Sequence, residues 1–341
     1  MSPSASRWIC GPPADLPLSD DGRPLTQRNR PVAPRLLVLF VDGVGIGEPD
    51  PTVNPFFLAS VPVLTEILGG ELPTLDAPAH EGSLGRSFPL DACLGVPGTP
   101  QSGTGQVTIL TGRNGPELFG RHFGPWPPVR LRPILDEENF LRRATELGAR
   151  AAFANAYPRG YPAGLPARRV AAPPLAAHSA GLLNRDHEAL AEGRAVASEI
   201  VNDGWRRVLG FSNLPSVSAA NAGKNLAGIA ALVDLTLFAH YQTDMAGHRG
   251  GMEGAVGALE RLDRFLEGLL EGLPDDLLVL IVSDHGNLED VRVGHTRNPA
   301  LGILLGASAR STPVPTTLLD IAGFVMDGVA ARLGPPEARD P

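Results

Sequence analysis

The sequence predicts a layered α/β protein with a mainly parallel sheet and helices on both faces. Three observations predict it: short, continuously apolar runs recur, several end in an acid, and amphipathic helical patterns separate them. LLVLFVD (36–42) reads as a strand buried on both faces of a parallel sheet. LTLFAHYQTD (235–244), LLVLIVSD (277–284) and ALGILLG (300–306) share its shape. Between them, MEGAVGALERLDRFLEGLLEGL (252–273) sets Val256, Leu259, Leu262, Leu266, Leu269 and Leu273 on one stripe with charges opposite, which predicts a helix lying on the sheet.

The middle of the chain reads differently. It holds the Pro/Arg/Gly-rich RHFGPWPPVRLRP, a helical pattern LDEENFLRRATELG (135–148), a strand pattern ARAAFANA (149–156) and a second helical pattern around HEALAEGRAVASEIV (187–201). These predict an inserted α+β cap over 115–225, which leaves a discontinuous core of 35–114 and 226–341. Residues 1–34 are rich in Pro, Arg, Ser and Asp without periodicity and read as a flexible arm.

With 341 residues the chain is long enough for a large core. Its net charge of −8 and pI near 5.5 give no electrostatic footprint for nucleic acid. Lys224 is the single lysine among 29 basic residues; with Ala, Gly and Pro abundant, this reads as compositional bias. Cys10 and Cys93 are too few for a disulfide framework and lack CxxC spacing. The N-terminal stretch has no continuous apolar segment of the secretory type, and no run approaches the ~18 apolar residues of a membrane span. The expectation is a soluble, cytoplasmic protein with no membrane partner.

Ligands of open α/β sheets bind beyond the carboxyl ends of strands. Three of the apolar runs end there in Asp42, Asp244 and Asp284. One such acid is usually a helix cap or a turn former; three, each in a His- or Gly-rich context, point further. TDMAGH places His248 four residues after Asp244, SDHG adds His285 beside Asp284, and VGHT adds His295. An Asp/His donor set suits Zn²⁺, Mn²⁺ or a similar divalent ion. In TPQSGTGQVTILTGR (99–113) a Ser/Gly/Thr cluster leads into a helical segment, so Ser102 or Thr104 lies near a helix N-terminus, which favours an anion.

In the order VDGVGIGEPD, QSGTGQVTILTGR, TDMAGH, SDHGN and GHTRNP, the chain resembles the alkaline phosphatase superfamily, in its branch of phosphopentomutases and cofactor-independent phosphoglycerate mutases. The resemblance covers about 35–112 and 232–330 and implies an alkaline-phosphatase-like three-layer core. It also implies two divalent ions, Mn²⁺ or Zn²⁺. One ion falls to Asp244, His248 and His295, the other to Asp42, Asp284, His285 and the nucleophile's oxygen. The nucleophile aligns with Ser102, with Thr104 as the second candidate. Where the glycerate mutases have an Asn before the serine and a His after the glycine, this chain has Gln101 and Gln106. DGVGIGEPDP and the arginines of HTR and GHR look like the pentomutases; the serine, DMAGH and NP look like the glycerate mutases.

The implied chemistry is phosphoryl transfer from a small phosphorylated metabolite through a phosphoserine. Attack by water makes the protein a phosphomonoesterase; attack by a retained hydroxyl makes it a mutase. A non-catalytic metal-binding relative is the third reading, and a metalloprotease is disfavoured because no HExxH is present. Arg121, Arg130, Arg132 and Arg159, with His122 and Asn155, are the cap residues available to substrate. Glu289 and Asp290 are expected to face solvent.

Overall fold

The computed structural model describes residues 33–163 and 169–335, so all but the last two residues of the expected arm lie outside the described residues. In chain order the strands are β1 (Arg35–Val41), β2 (Gly85–Leu90), β3 (Ala151–Phe153), β4 (Leu235–His240), β5 (Leu277–Val282) and β6 (Ala300–Leu305). The first α-helices are α1 (Pro62–Ile67), α2 (Ser102–Thr111), α3 (Gly115–Phe119), α4 (Arg132–Glu138), α5 (Phe140–Glu146) and α6 (Ala172–Ser179). They are followed by α7 (His187–Ala191), α8 (Asp203–Arg207), α9 (Ala219–Ala230), α10 (Gln242–Arg249), α11 (Gly251–Glu271) and α12 (Asp320–Leu333).

The strands form one sheet in the order β2-β6-β5-β1-β4-β3. β5, β1, β4 and β3 run parallel, and β6 is antiparallel to both of its neighbours. Alternation along β1 makes the layers: Leu36, Val38 and Phe40 face a core shared with α2, α4, α5, α6 and α12. Leu37, Leu39 and Val41 face the core shared with α1, α9 and α11. The layered α/β reading holds, and the four apolar runs are the four long central strands.

The differences are local. The run 235–244 stops being a strand at His240, the last residue paired with β1, and the chain turns directly into α10. Asp244 therefore sits in the first turn of a helix rather than at a strand end. The helix expected over 135–148 is broken at Asn139, whose extended backbone starts α5. Its side chain serves both ends, donating to Leu135 O at 2.7 Å and accepting from Arg142 N at 3.0 Å. The helix expected over 187–201 ends at Ala191, because Val196 pairs with the backbone of Ala154 and Ala156. β2 went unseen because Pro89 interrupts its pattern, which an edge strand tolerates.

The described residues from Ala33 onward form one compact unit, and much of the segment expected as a cap is core. Ala151–Phe153 pairs in register with Leu235–Leu237, and α4, α5 and α6 cover one face of the sheet. The physical reason is the apolar strand AAF, which completes the sheet beyond β4 more favourably than it could stand in a separate layer. A small satellite core around Trp205, Leu190 and Leu214 remains outside those layers.

α11 and α9 approach so closely that a Cβ on Gly268 would stand 1.8 Å from Ala220 O. Gly268→Ala is expected to lower stability by about 1–3 kcal/mol through overpacking, read as a lower urea midpoint; an unchanged midpoint would contradict this packing.

His240, at the end of β4, is buried, with Nδ1 2.8 Å from Ser198 O and Nε2 without a partner. Burial brings its pKa down to about 4, against a partial opposing effect of the Ser198 carbonyl. The unfolded chain takes up that proton first, so stability is full above the ordinary imidazole value and falls as pH drops from about 6.5 toward 4, by roughly 3 kcal/mol. Denaturation midpoints of a His240→Gln protein should depend less steeply on pH across that window; equal slopes would sink the assignment.

Candidate metal centre

The parallel order brings the carboxyl ends of β1, β4 and β5 side by side, and the sequence places an acid just beyond two of them. Asp42 follows β1, Asp284 and His285 follow β5, and α10, which begins just after β4, carries Asp244 and His248 one turn apart on one face. Gly43 turns the chain after Asp42 with φ +68°, and a Cβ there would lie 2.6 Å from Asp244 Oδ1. Only glycine lets these two acid-bearing segments meet.

Ligand atoms gather into two sets, Asp42 with Asp284 and His285, and Asp244 with His248 and His295. The first set is buried. His285 Nε2 stands 3.5 Å from Asp42 Oδ1, 3.6 Å from Asp284 Oδ1 and 2.9 Å from Ser102 Oγ. The second set opens toward solvent, with the His248 side chain 41% exposed. Its two imidazoles place their Nε2 atoms 2.9 Å apart, and both lie within 3.5 Å of Asp244 Oδ1. The sets adjoin, for the His285 and His295 rings stack with centroids 4.0 Å apart.

Several features fit these residues to divalent cations. Asp42 Oδ1 is buried without a hydrogen-bond partner. Burial first, then the charges of Asp284 and Asp244, push the Asp42 carboxyl well above the ordinary range. Among the described residues no Lys or Arg pairs with Asp42 or Asp284. Gln106 supplies a partial substitute, its amide nitrogen lying 3.4 Å from Asp42 Oδ2 and 3.2 Å from Asp284 Oδ2. At Asp244, burial raises the pKa, but the hydrogen bond to His295, the His285 charge and the Asn287 amide prevail and bring it down to about 2. Burial also holds His248 below its ordinary value, which favours the neutral, ligating imidazole. The donors are all carboxylate oxygen and imidazole nitrogen, the chemistry of Zn²⁺ or Mn²⁺ sites.

The two candidate nucleophiles part company. Ser102 is the first residue of α2, buried, with its hydroxyl on His285. The Thr104 hydroxyl accepts from Phe123 N at 3.1 Å and so faces the 121–126 loop instead. The candidate substrate residues also divide. Asn155 is fully engaged with β4, donating to Ala239 O at 2.7 Å and accepting from Ala239 N at 2.8 Å. Arg159 pairs with Asp186 and Glu188. His122 lies 3.2 Å from Val96 O, and Arg121 stacks 5.8 Å over the Phe123 ring, whose backbone touches Thr104. Arg130 stacks on Phe119.

Glu289, expected in solvent, is 1% exposed; four donors from the loops around the two sets draw it inward. Asp290 is partly buried and pairs with Arg292. Three organising residues escaped the sequence reading. Asn287 donates to Asp244 Oδ1 at 2.6 Å and to Asp244 O at 3.1 Å. Ser283 receives Val44 N at 2.8 Å and donates to His285 O at 3.1 Å, and the Thr243 hydroxyl donates to Asp42 O at 2.6 Å. Gln106 carried a usable signal: it lies one helical turn after Ser102 and so shares its face.

Residues 214–332 match the family model described as Metalloenzyme superfamily. A phosphopentomutase of Deinococcus radiodurans is 37% identical over 95 residues, which cover 26% of this chain and 24% of that protein. A 2,3-bisphosphoglycerate-independent phosphoglycerate mutase of Mycoplasmopsis synoviae is 30% identical over 127 residues, 36% of this chain and 25% of that protein. The chain thus spans about a quarter of the length of these curated relatives. Among solved structures, the PH0037 protein from Pyrococcus horikoshii shares the fold with a TM-score of 0.53 at 13% identity, over 87% of this chain and 97% of that one. The resemblance noted in the motifs is borne out in these partial relatives. No helix among the described residues is long and apolar enough to cross a membrane.

Proposed function

We propose, on the premise that residues 214–332 form a Metalloenzyme-superfamily domain, that the protein transfers the phosphoryl group of a small phosphate monoester through a phosphoserine at Ser102. The observation that carries this reading is the Ser102 hydroxyl at the first residue of α2, 2.9 Å from His285 in a buried set where, among the described residues, no Lys or Arg pairs with the carboxylates. Asp42, Asp284, His285 and Ser102 Oγ would hold one divalent ion, and Asp244, His248 and His295 the other. Bound there, Mn²⁺ or Zn²⁺ supplies charge neutralisation and acidifies the serine hydroxyl.

The remaining steps belong to the chain. Ser102 Oγ, having lost its proton, attacks phosphorus; the ester bond breaks, and the leaving alkoxide takes up a proton as the alcohol. A phosphoryl group on Ser102 would sit at the N-terminus of α2, where the helix dipole favours the charge of the non-bridging oxygens. Water then attacks the phosphoserine, releasing inorganic phosphate and restoring the serine. Two observations support water as acceptor: the Asp244/His248/His295 side is open to solvent, and Asn155 and Arg159 are committed elsewhere. The printed names of the relatives support a second reading, in which a hydroxyl of the retained alcohol attacks and the ester is isomerised.

Phosphorus NMR of the Mn²⁺-loaded protein with one sugar phosphate and one phosphoglycerate separates the two. Free phosphate is the expected product; an isomerised ester without release establishes the mutase. No transfer to any acceptor would overturn both.

A further inference from the structure

Among the described residues, Glu289 is the one buried carboxylate near the centre that belongs to neither ligand set. Its Oε2 receives Gly45 N at 3.0 Å and Asn287 N at 2.8 Å. Its Oε1 receives the Thr296 hydroxyl and Asn298 Nδ2, the latter at 3.1 Å. All four partners donate, the acceptor-only pattern of an ionised carboxylate, and among the described residues no Lys or Arg pairs with it. A buried carboxylate in this arrangement is held by hydrogen bonds from loops rather than by an opposite charge.

The four donors divide by kind: the two backbone donors, Gly45 and Asn287, follow Asp42 and His285 of the buried set, and the two side-chain donors lie on the segment that bears His295. Thr296 adjoins His295, Asn298 lies just beyond, and Asn287 is the residue whose side chain fixes Asp244. The buried set has a separate anchor in Ser283, which ties β5 to the loop after Asp42, and in Gly43 N, which lies 3.3 Å from Asp284 Oδ1.

We infer that Glu289 is a positioning residue for the solvent-facing site, setting His295 and Asp244 for their ion while leaving the buried site to Ser283. This rests on the metal-centre reading above. It gives the two ions separate supports: the loop 286–298 sets the affinity of one, and the ends of β1 and β5 set the other.

Glu289→Gln keeps the shape and removes half of the acceptor capacity. With its oxygen toward Gly45 and Asn287, its NH₂ faces Thr296 and Asn298, so the segment bearing His295 loosens. The reverse orientation orphans two buried backbone N–H groups and costs more.

The test is equilibrium dialysis of Mn²⁺ against metal-free protein, with bound ion counted by electron paramagnetic resonance. Wild type is expected to bind two ions. Glu289→Gln is expected to keep one at wild-type affinity and to bind the other about 10–100-fold more weakly. Two unchanged affinities, or equal weakening of both, would overturn the inference, since a merely structural role moves the sites together. If Glu289→Gln does not fold, the double variant Thr296→Val/Asn298→Ala, which keeps Glu289 and its backbone donors, must show the same split. The metal-centre reading itself fails separately, in the wild-type titration, if no ion binds.

Discussion

Replacing Ser102 by alanine is expected to reduce phosphoryl transfer by about 10³-fold or more while leaving the fold intact. In the proposed reaction the Ser102 hydroxyl is the attacking group, and the nearest alternative on α2 is engaged elsewhere. Thr104, two residues on, has its oxygen bonded to the backbone of Phe123 on the far side of the helix start. Ser102 fills its site with one small oxygen, so its loss leaves the packing of α2 unchanged. Transfer rates with a phosphate monoester and the melting temperature of the same preparation check both halves. Retained activity would remove Ser102 from the reaction, and a Ser102→Ala protein that is inactive but also unfolded would make the effect structural.

The second large effect distinguishes His285 from His295. His285→Ala takes a candidate ligand from the buried set and removes the imidazole that lies against Asp42 and Asp284. Two adjacent buried carboxyl groups then keep the Gln106 amide and Gly43 N as donors, at a cost of about 1–3 kcal/mol to the metal-free protein. His295→Ala acts on the open set, where solvent can reach Asp244 and His248, and should weaken the other ion with little loss of stability. Metal titrations should therefore lose different steps in the two variants. Loss of the same step in both would merge the two sites into one.

The raised pKa of Asp42 adds a pH dependence to the same site. Its folded-state value lies above the unfolded one, so the stability it contributes is full below the ordinary carboxylate range and is lost as pH rises through the folded value. A bound divalent ion opposes that loss by favouring the carboxylate. The gap in melting temperature between metal-loaded and metal-free protein should accordingly widen as pH rises.

Legibility in the sequence followed the physics of each element. β1, β4, β5 and β6 were readable because a strand buried on both faces must be continuously apolar, and α11 because a helix on a sheet must be apolar on one stripe. Asp42, Asp284, His285, Asp244, His248 and His295 stood out because acids and imidazoles are few and closely spaced in the motifs, and the structure gathers their side chains into two sets. The 115–225 segment misled because a three-residue strand such as Ala151–Phe153 acquires its meaning only from its partner, β4. Glu289 misled for a related reason. In GNLEDVRVG nothing periodic marks which acid turns inward, and its four partners come from loops before and after it in the chain. Asn155 looked like a substrate residue by type, yet its amide extends the β3 edge along β4.

The central claim is that Ser102 carries the phosphoryl group between donor and acceptor. Rapid acid quenching of the Mn²⁺-loaded protein with a phosphate monoester, followed by mass spectrometry of the peptide containing Ser102, tests it most directly. One added phosphoryl group on Ser102 is expected, disappearing as the monoester is exhausted. A peptide that stays unmodified while phosphate is transferred would contradict it.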